Sequence, residues 1–409
     1  MSEPKRPPLQ SLDEALASLL AAVSPLGRSE SVSTFDALGR VLAADVVSQL
    51  DVPPADNTAM DGYALRAADV PAPGTVLPVS QRVPAGVVGA VLQPGTAARI
   101  FTGAQIPQGA DAVVMQEQCE AVDGGSVRVN VAVPVGQHIR RRGEDVQQGS
   151  TVLAAGARLN AASLGLAASV GAAALQVAVR PRVALFSTGD ELVMPGEPLK
   201  PGAVYNSNRF TLRGLLQALG CEVVDLGIVP DRLDATRAAL REAAEGLNKA
   251  DLIITSGGVS VGEEDHLRPA VQAEGRLDLW QIALKPGKPL AFGMVKDAFF
   301  IGLPGNPVSS FVTFLMLVRP VILRLQGAAA LTPKRYRLRA DFAWPKPDRR
   351  REFLRARLGE GGGLELFPNQ SSGVLTSAVW GDGLVDLPAG QPVAVGDAVD
   401  FIPFSELLS

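Results

Sequence analysis

Three loops of small polar residues carry the chemistry that this chain could do. They are Ser187-Thr188-Gly189-Asp190-Glu191, Ser256-Gly257-Gly258-Val259-Ser260-Val261-Gly262, and Pro304-Gly305-Asn306-Pro307-Val308-Ser309. Each follows a short apolar run (182–186, 251–255, 299–303) that reads as a buried strand, and each leads into helix-like sequence. Glycine lets the backbone approach a ligand closely, and hydroxyls, N–H groups and a helix start together make an anion cradle. In an open parallel sheet such loops gather at the carboxyl ends of the strands, where ligands bind. Glu263, Glu264 and Asp265 follow the second loop, at the expected start of a helix, where acids suit the dipole.

Further charged groups recur at close spacing. Lys285-Pro286-Gly287-Lys288-Pro289 offers two ammonium groups on a proline-stiffened backbone, suited to a doubly charged oxyanion; a solvated basic turn is the alternative. Asp56-Asn57-Thr58-Ala59-Met60-Asp61-Gly62-Tyr63-Ala64 reads either as a functional loop or as a network of Asx turns. Arg140-Arg141-Arg142-Gly143-Glu144-Asp145 fits an active-site wall and a solvated charge run equally well.

Several function classes are excluded. Gly258 to Gly262 satisfies G-x-S-x-G, but a hydrolase then needs an acid and a later histidine. The histidines are His138 and His266, and the second leaves no span for the acid, so Ser260 is read as a hydrogen-bonding ligand contact. Neither a P-loop nor a GxGxxG fingerprint occurs. A net charge of −4 argues against a nucleic-acid or membrane-surface binder. Cys119 and Cys221 lack the spacing of a metal or disulfide framework, which fits a reducing, cytoplasmic setting. The N-terminus has no apolar signal region, and Ala161–Val179 reads as a short core helix and a strand rather than a membrane span.

The elements that must position these loops follow from periodicity. Residues 11–23 have helical spacing behind the cap candidate Ser11. From 71 to 135, Gly and Pro punctuate short Val/Ile runs, which predicts a β-rich domain. Residues 181–326 alternate strands with helical patterns, which predicts a parallel α/β sheet with crossover helices. After Gly327, segments 335–343, 352–358, 364–367 and 397–403 read as the strands of a small barrel or sandwich.

Taken together, the motifs resemble the molybdopterin molybdenumtransferases, the family of bacterial MoeA and of the E domain of animal gephyrin. The resemblance runs almost end to end: DNTAMDGYA (56–64), FTGA (101–104), VVMQEQ (113–118), RRRGED (140–145), ALFSTGDEL (184–192), LGIVPD (226–231), SGGVSVGEED (256–265), KPGKP (285–289) and LPGNPVS (303–309). It implies a multidomain α/β fold: a doubly wound parallel molybdopterin-binding core flanked by β-rich domains and a C-terminal β-barrel. The implied division is an N-terminal linker domain (1–53 with 143–180), an inserted β-rich domain (54–142), the core (181–326) and the barrel (327–409). It also implies a homodimer with a composite active site and an upstream molybdopterin adenylyltransferase as a partner. The implied reaction inserts molybdate into adenylylated molybdopterin and releases AMP, with Mg2+ or a similar divalent cation.

Carried over by residue, the resemblance places Glu191, Asp231 and Asp265 around the metal and the reacting phosphate. It assigns Thr188, Gly189, Ser256, Gly257, Gly258, Ser260, Gly305, Asn306 and Pro307 to substrate binding. Lys285, Lys288, Ser309, Arg355 and Ser372 become oxyanion or phosphate ligands, and Asp61, Thr102 and Asp145 come from the other subunit. Relatives carry lysine where this chain has Gln281, which removes one positive charge, and Gln370-Ser371-Ser372-Gly373 also deviates. The readings set against a molybdenumtransferase are an adenylyltransferase, which needs the central domain alone, and a non-catalytic molybdopterin-binding scaffold.

Overall fold

The computed structural model describes residues 9–258 and 266–408. Val183 and Leu185 alternate with Ala184 and Phe186, and all four are fully buried, so the strand that carries them is covered on both faces. This strand, β1 (Arg182–Thr188), belongs with α1 (Ser207–Ala218), β2 (Glu222–Val229), α2 (Leu233–Glu245), β3 (Leu252–Ser256) and α3 (Leu267–Glu274). β4 (Gly275–Gln281), β5 (Pro289–Val295), β6 (Ala298–Leu303) and α4 (Pro307–Leu325) complete the domain. Sheet order is β2-β1-β3-β6-β5-β4. β2, β1, β3 and β6 run parallel, whereas β5 pairs antiparallel with both β6 and β4, so the sheet is mixed rather than wholly parallel as the alternation of strands and helices predicted. The hairpin β5–β6 turns within two residues, too short for the crossover that a parallel pair needs.

One face of the sheet packs on α1, α4 and the N-terminal helix Leu12–Ala22, through Leu212, Leu216, Phe314, Leu317, Ile322 and Leu19. The other packs on α2 and α3 through Leu240, Ala243, Leu267 and Val271. Ser11 caps the N-terminal helix with a complete Ser11/Glu14 capping box. Among the described residues, α4 is the one helix long and apolar enough to cross a membrane, and 94 % of it is buried in this core.

Strands flank the core on both sides in the chain. Ser29–Ser33 pairs antiparallel with Ala174–Ala178, and Val46–Val47 pairs with Thr151–Leu153. The intervening chain forms a six-stranded sheet in the order 112–115, 62–65, 97–100, 75–83, 126–129, 119–122. The C-terminal sheet runs 284–285, 351–358, 383–387, 398–403, 336–339. Leu364–Leu366 pairs with Arg351–Leu358 and meets Ala340 through a parallel bridge, which brings the sheet back on itself around Leu354, Val385, Val399 and Phe401. Two of these strands were not legible in the sequence: Gly383–Leu387, and Leu284–Lys285, which the core contributes to the C-terminal sheet.

Candidate active-site cleft

β1 crosses over to β2 on one side, and the chain then returns to place β3 on the other side of β1. The carboxyl ends of β1 and β3 therefore flank the switch point where open α/β sheets bind ligands. A cleft of about 650 Å3 opens there. Thr188, Gly189 and Glu191 line it from the β1 loop, Gly257 and Gly258 from the β3 loop, and Gly305, Asn306 and Ser309 from the start of α4. Asp231, Lys285 and Lys288 complete the core's contribution. Arg350, Gln370, Ser371 and Ser372 close it from the C-terminal domain. A second lobe of about 490 Å3 adjoins the first, shares Thr188, Glu191, Gly257, Gly305 and Asn306 with it, and adds Ser256 and Pro307.

The loops are tightly built. Gly257 has φ +90°, and a Cβ there would lie 2.8 Å from the Thr188 carbonyl oxygen, so glycine alone allows the two cradles to meet. Ser187 and Ser256 hydroxyls lie 3.1 Å apart beneath them. The Asn208 amide donates to the Gly305 carbonyl at 2.7 Å, and the Val308 N–H donates to the Ser372 carbonyl at 2.9 Å. This last bond ties the C-terminal domain to the first turn of α4, beside Ser309.

The two lysines of the 285–289 loop differ. Lys285 Nζ lies 3.0 Å from Glu352 Oε1 and 3.4 Å from Asp348 Oδ2. Glu352 is buried, and its other oxygen accepts from the Trp344 indole N–H (2.9 Å) and the Asp348 N–H (2.8 Å). Arg350 donates from Nε and Nη2 to Asp348, which holds that carboxyl well below the usual carboxylate range. Lys285 is thus charge-compensated. Lys288 also lines the cleft and has no carboxylate within ion-pair distance among the described residues.

Glu191 is exposed and Asp231 is half-buried, and both line the cleft. The Asp231 N–H donates to Asp190 Oδ1 at 3.1 Å. Ser260 and Asp265 lie outside the described residues. Arg355 does not line the cleft. It is wholly buried, donating to Ser377 Oγ (3.0 Å) and to the Phe353 carbonyl (3.1 Å), and its side chain borders a smaller cavity of about 240 Å3 with Lys285 and Trp344. Burial pulls its pKa down to about 10. Gln281 ends β4 opposite Pro289 and is not part of the cleft lining.

Asp61, Thr102 and Asp145 also lie away from this cleft. The Thr102 N–H and hydroxyl both donate to Asp61 Oδ1 at 2.7 Å, and these two bonds hold the Asp61 carboxyl below its ordinary range. Asp145 is exposed, and its N–H donates to the Val52 carbonyl at 3.0 Å. Sequence reasoning missed Arg350, Glu352, Gln370 and Ser371. The first two sit in the charged run Asp348-Arg349-Arg350-Arg351-Glu352, which forms no motif, whereas Gln370 and Ser371 adjoin the predicted Ser372.

Comparison with known proteins finds matches over most of the chain. Residues 10–171 match the model of the MoeA N-terminal region (domain I and II), residues 184–324 a probable molybdopterin binding domain, and residues 337–404 the MoeA C-terminal region (domain IV). The chain is 39 % identical over 403 residues to the molybdopterin molybdenumtransferase of Haemophilus influenzae, covering 97 % of this chain and 99 % of that protein. It is 38 % identical over 400 residues to molybdopterin molybdenumtransferase 2 of Mycobacterium tuberculosis H37Rv, covering 93 % and 95 %. The crystal structure of the molybdopterin biosynthesis moeA protein from Pyrococcus horikoshii OT3 superposes with a TM-score of 0.83 at 30 % identity, covering 97 % of this chain and 100 % of that one. With all three regions present in order and relatives matched almost from end to end, the chain belongs to the MoeA family of molybdopterin molybdenumtransferases.

Proposed function

We propose that this protein is a molybdopterin molybdenumtransferase of molybdenum-cofactor biosynthesis, which inserts molybdate into adenylylated molybdopterin with release of AMP. The observation that carries this reading is the two-lobed cleft, with Glu191 and Asp231 in its lining together with Lys288, compensated Lys285 and Arg350. Two joined lobes suit a substrate with two bulky halves, a pterin and a nucleotide, linked through phosphates. The glycine-lined loops let backbone N–H groups approach the phosphates, while Lys288 and Ser309 hold the incoming oxyanion. Catalysis rests on positioning and on charge neutralisation.

Glu191 and Asp231 supply the hard oxygen donors that Mg2+ favours, and one or two protein carboxylates are its usual share. When bound, the cation neutralises phosphate charge and polarises the bond to the leaving group. Asp265 is proposed as the third acid of this set.

The active form is proposed to be a homodimer in which Asp61, Thr102 and Asp145 reach the partner's cleft. One feature supports pairing. Phe35 and Leu38 stand 92 % and 61 % exposed on the linker domain, beside a helix (161–169) with Ala167 as its one buried residue. The proposed division is 1–53 with 143–180, 54–142, 181–326 and 327–409, and the proposed setting is the cytoplasm, downstream of a molybdopterin adenylyltransferase. Incubating purified protein with adenylylated molybdopterin, molybdate and Mg2+ should release AMP and yield active cofactor. Consumption of ATP to adenylylate molybdopterin would instead identify an adenylyltransferase.

A further inference from the structure

The inserted domain carries a charge arrangement that the cleft does not account for. Arg82, on strand Thr75–Val83, lies in register with Arg99 on strand Ala97–Ile100, and Arg99 lies in register with Tyr63 on strand Gly62–Leu65. Both guanidinium carbons sit against the Phe101 ring, at 4.4 Å and 4.6 Å from its centroid, and Arg99 also sits 5.2 Å from that of Tyr63. Like charges side by side on adjacent strands destabilise a sheet. Here neither has a carboxylate within ion-pair distance among the described residues.

The two arginines are not equivalent. Arg99 uses its donors within the domain, on the Gly62 carbonyl (2.8 Å) and on Gln116 Oε1 (2.6 Å). Arg82 is exposed, and its N–H groups make no hydrogen bond among the described residues. Phe101 immediately precedes Thr102, and Gly62 immediately follows Asp61, so the stack adjoins the Asp61–Thr102 pair. A guanidinium held flat on an aromatic face, with its N–H edge free, is organised to hydrogen-bond the oxygens of a phosphate-like anion.

We propose that Arg82, seated on Phe101 and reinforced by the charge of Arg99, is the edge that one subunit offers to the anion in its partner's cleft. The ligand chemistry is a tetrahedral oxyanion, either the phosphate of the adenylylated substrate or molybdate. The inference rests on the composite-site reading above.

Arg82→Ala and Arg82→Lys, measured as purified dimers, test it. Arg82→Ala should raise the half-saturating concentration of one substrate roughly tenfold, about the loss expected for a charge-assisted hydrogen bond. Its effect on KM should exceed that on kcat, and Arg82→Lys should recover part of it. A shift for adenylylated molybdopterin identifies the phosphate as the ligand, and a shift for molybdate identifies molybdate. In verified heterodimers of Arg82→Ala with Glu191→Gln subunits, the surviving site takes its arginine from the Glu191→Gln chain and should show the parent half-saturation. Heterodimers of Asp61→Asn with Glu191→Gln subunits provide the separate check on the shared site. If these regain activity but Arg82→Ala homodimers keep the parent half-saturation for both substrates, the Arg82 proposal is overturned and the composite site stands. If Asp61→Asn heterodimers stay inactive, or the Arg82 defect persists in its heterodimer, action across the subunits is overturned.

Discussion

Lys285 and Lys288 lie three positions apart in one loop, yet the structure gives them different work, and Lys285→Met beside Lys288→Met separates the two. Methionine keeps much of the stem and removes the charge. In Lys285→Met the carboxylate of Glu352, 1 % exposed, loses an ammonium at 3.0 Å. Coulomb's law at an effective dielectric of ~20 puts that attraction at about 5 kcal/mol. Lys285 is 38 % exposed and divides its charge with Asp348, so solvent screening brings the expected loss to about 2–3 kcal/mol. At about 2–4 °C per kcal/mol for a unit of 150–250 residues, the transition involving the C-terminal domain should fall by about 4–12 °C. Lys288→Met removes no ion pair, so its Tm should stay within about 2 °C of the parent, while its molybdate requirement rises. Glu352→Gln retains an acceptor for the Trp344 and Asp348 N–H groups, so Lys285→Met with Glu352→Gln should recover most of the lost stability. Scanning calorimetry on the four proteins is the assay. Equal Tm values for the two lysine variants, or no recovery in the double variant, would refute the assignment of Lys285 to the Glu352 carboxylate.

Gly287 has φ +115°, and a Cβ there would lie 2.4 Å from Thr313 Oγ1, so Gly287→Ala should destabilise by about 2–4 kcal/mol and raise the molybdate requirement, read by denaturant titration and AMP release. Glu274 accepts from Arg241 Nε (3.0 Å) and Arg237 Nε (2.7 Å), which pulls its pKa from 4.5 to about 2 and clamps α3 to α2. A depressed carboxylate stabilises fully above its unfolded pKa and loses that contribution as pH falls through the folded value. The Tm gap between the parent and Glu274→Gln should therefore be constant above about pH 5 and shrink between pH 4.5 and about 2; a gap unchanged across that window would exclude the clamp. Gln281→Lys adds at the end of β4 the positive charge that the family resemblance implies there; a lower molybdate concentration for half-maximal turnover is expected, and an unaltered one would show that the position does not act on the oxyanion. Cys119 and Cys221 thiols are pushed by burial up to about 11 and about 12, so neither should react appreciably with a thiol reagent at pH 7 before unfolding.

The core strands and the starts of the loops after them were legible because strands buried on both faces leave unbroken apolar runs, and the loops are punctuated by glycine. The helix at 12–22 was legible from spacing and from its Ser11 cap. The antiparallel end of the sheet was not, since Pro289–Val295 and Ala298–Leu303 look like any buried strands until the two-residue turn between them is weighed. Leu284–Lys285 was hidden for a different reason. It is too short to show a period, and its partner, Arg351–Glu352, lies in another domain, so the pairing is purely tertiary. The ion pair of Lys285 with Glu352 follows from the same pairing, which sequence alone could not supply. The composite placement of Asp61 and Thr102 came from family resemblance rather than from any pattern in these residues.

Leu284 and Lys285 belong by sequence to the core and by hydrogen bonding to the C-terminal sheet, in register with Arg351 and Glu352. Side chains on a strand alternate faces, so a slip of one residue would turn Lys285 to the opposite face and leave Leu284 or Pro286 in its place. The ionic character of the cleft is thereby a matter of alignment between two domains as much as of composition. It follows that loop 284–289 and strand 351–358 must be inherited together. A chimera that exchanged the C-terminal domain with a relative at the natural boundary near Gly327 would preserve every motif in the loop. It would nonetheless scramble the lysine's company unless the donor strand brought the same register.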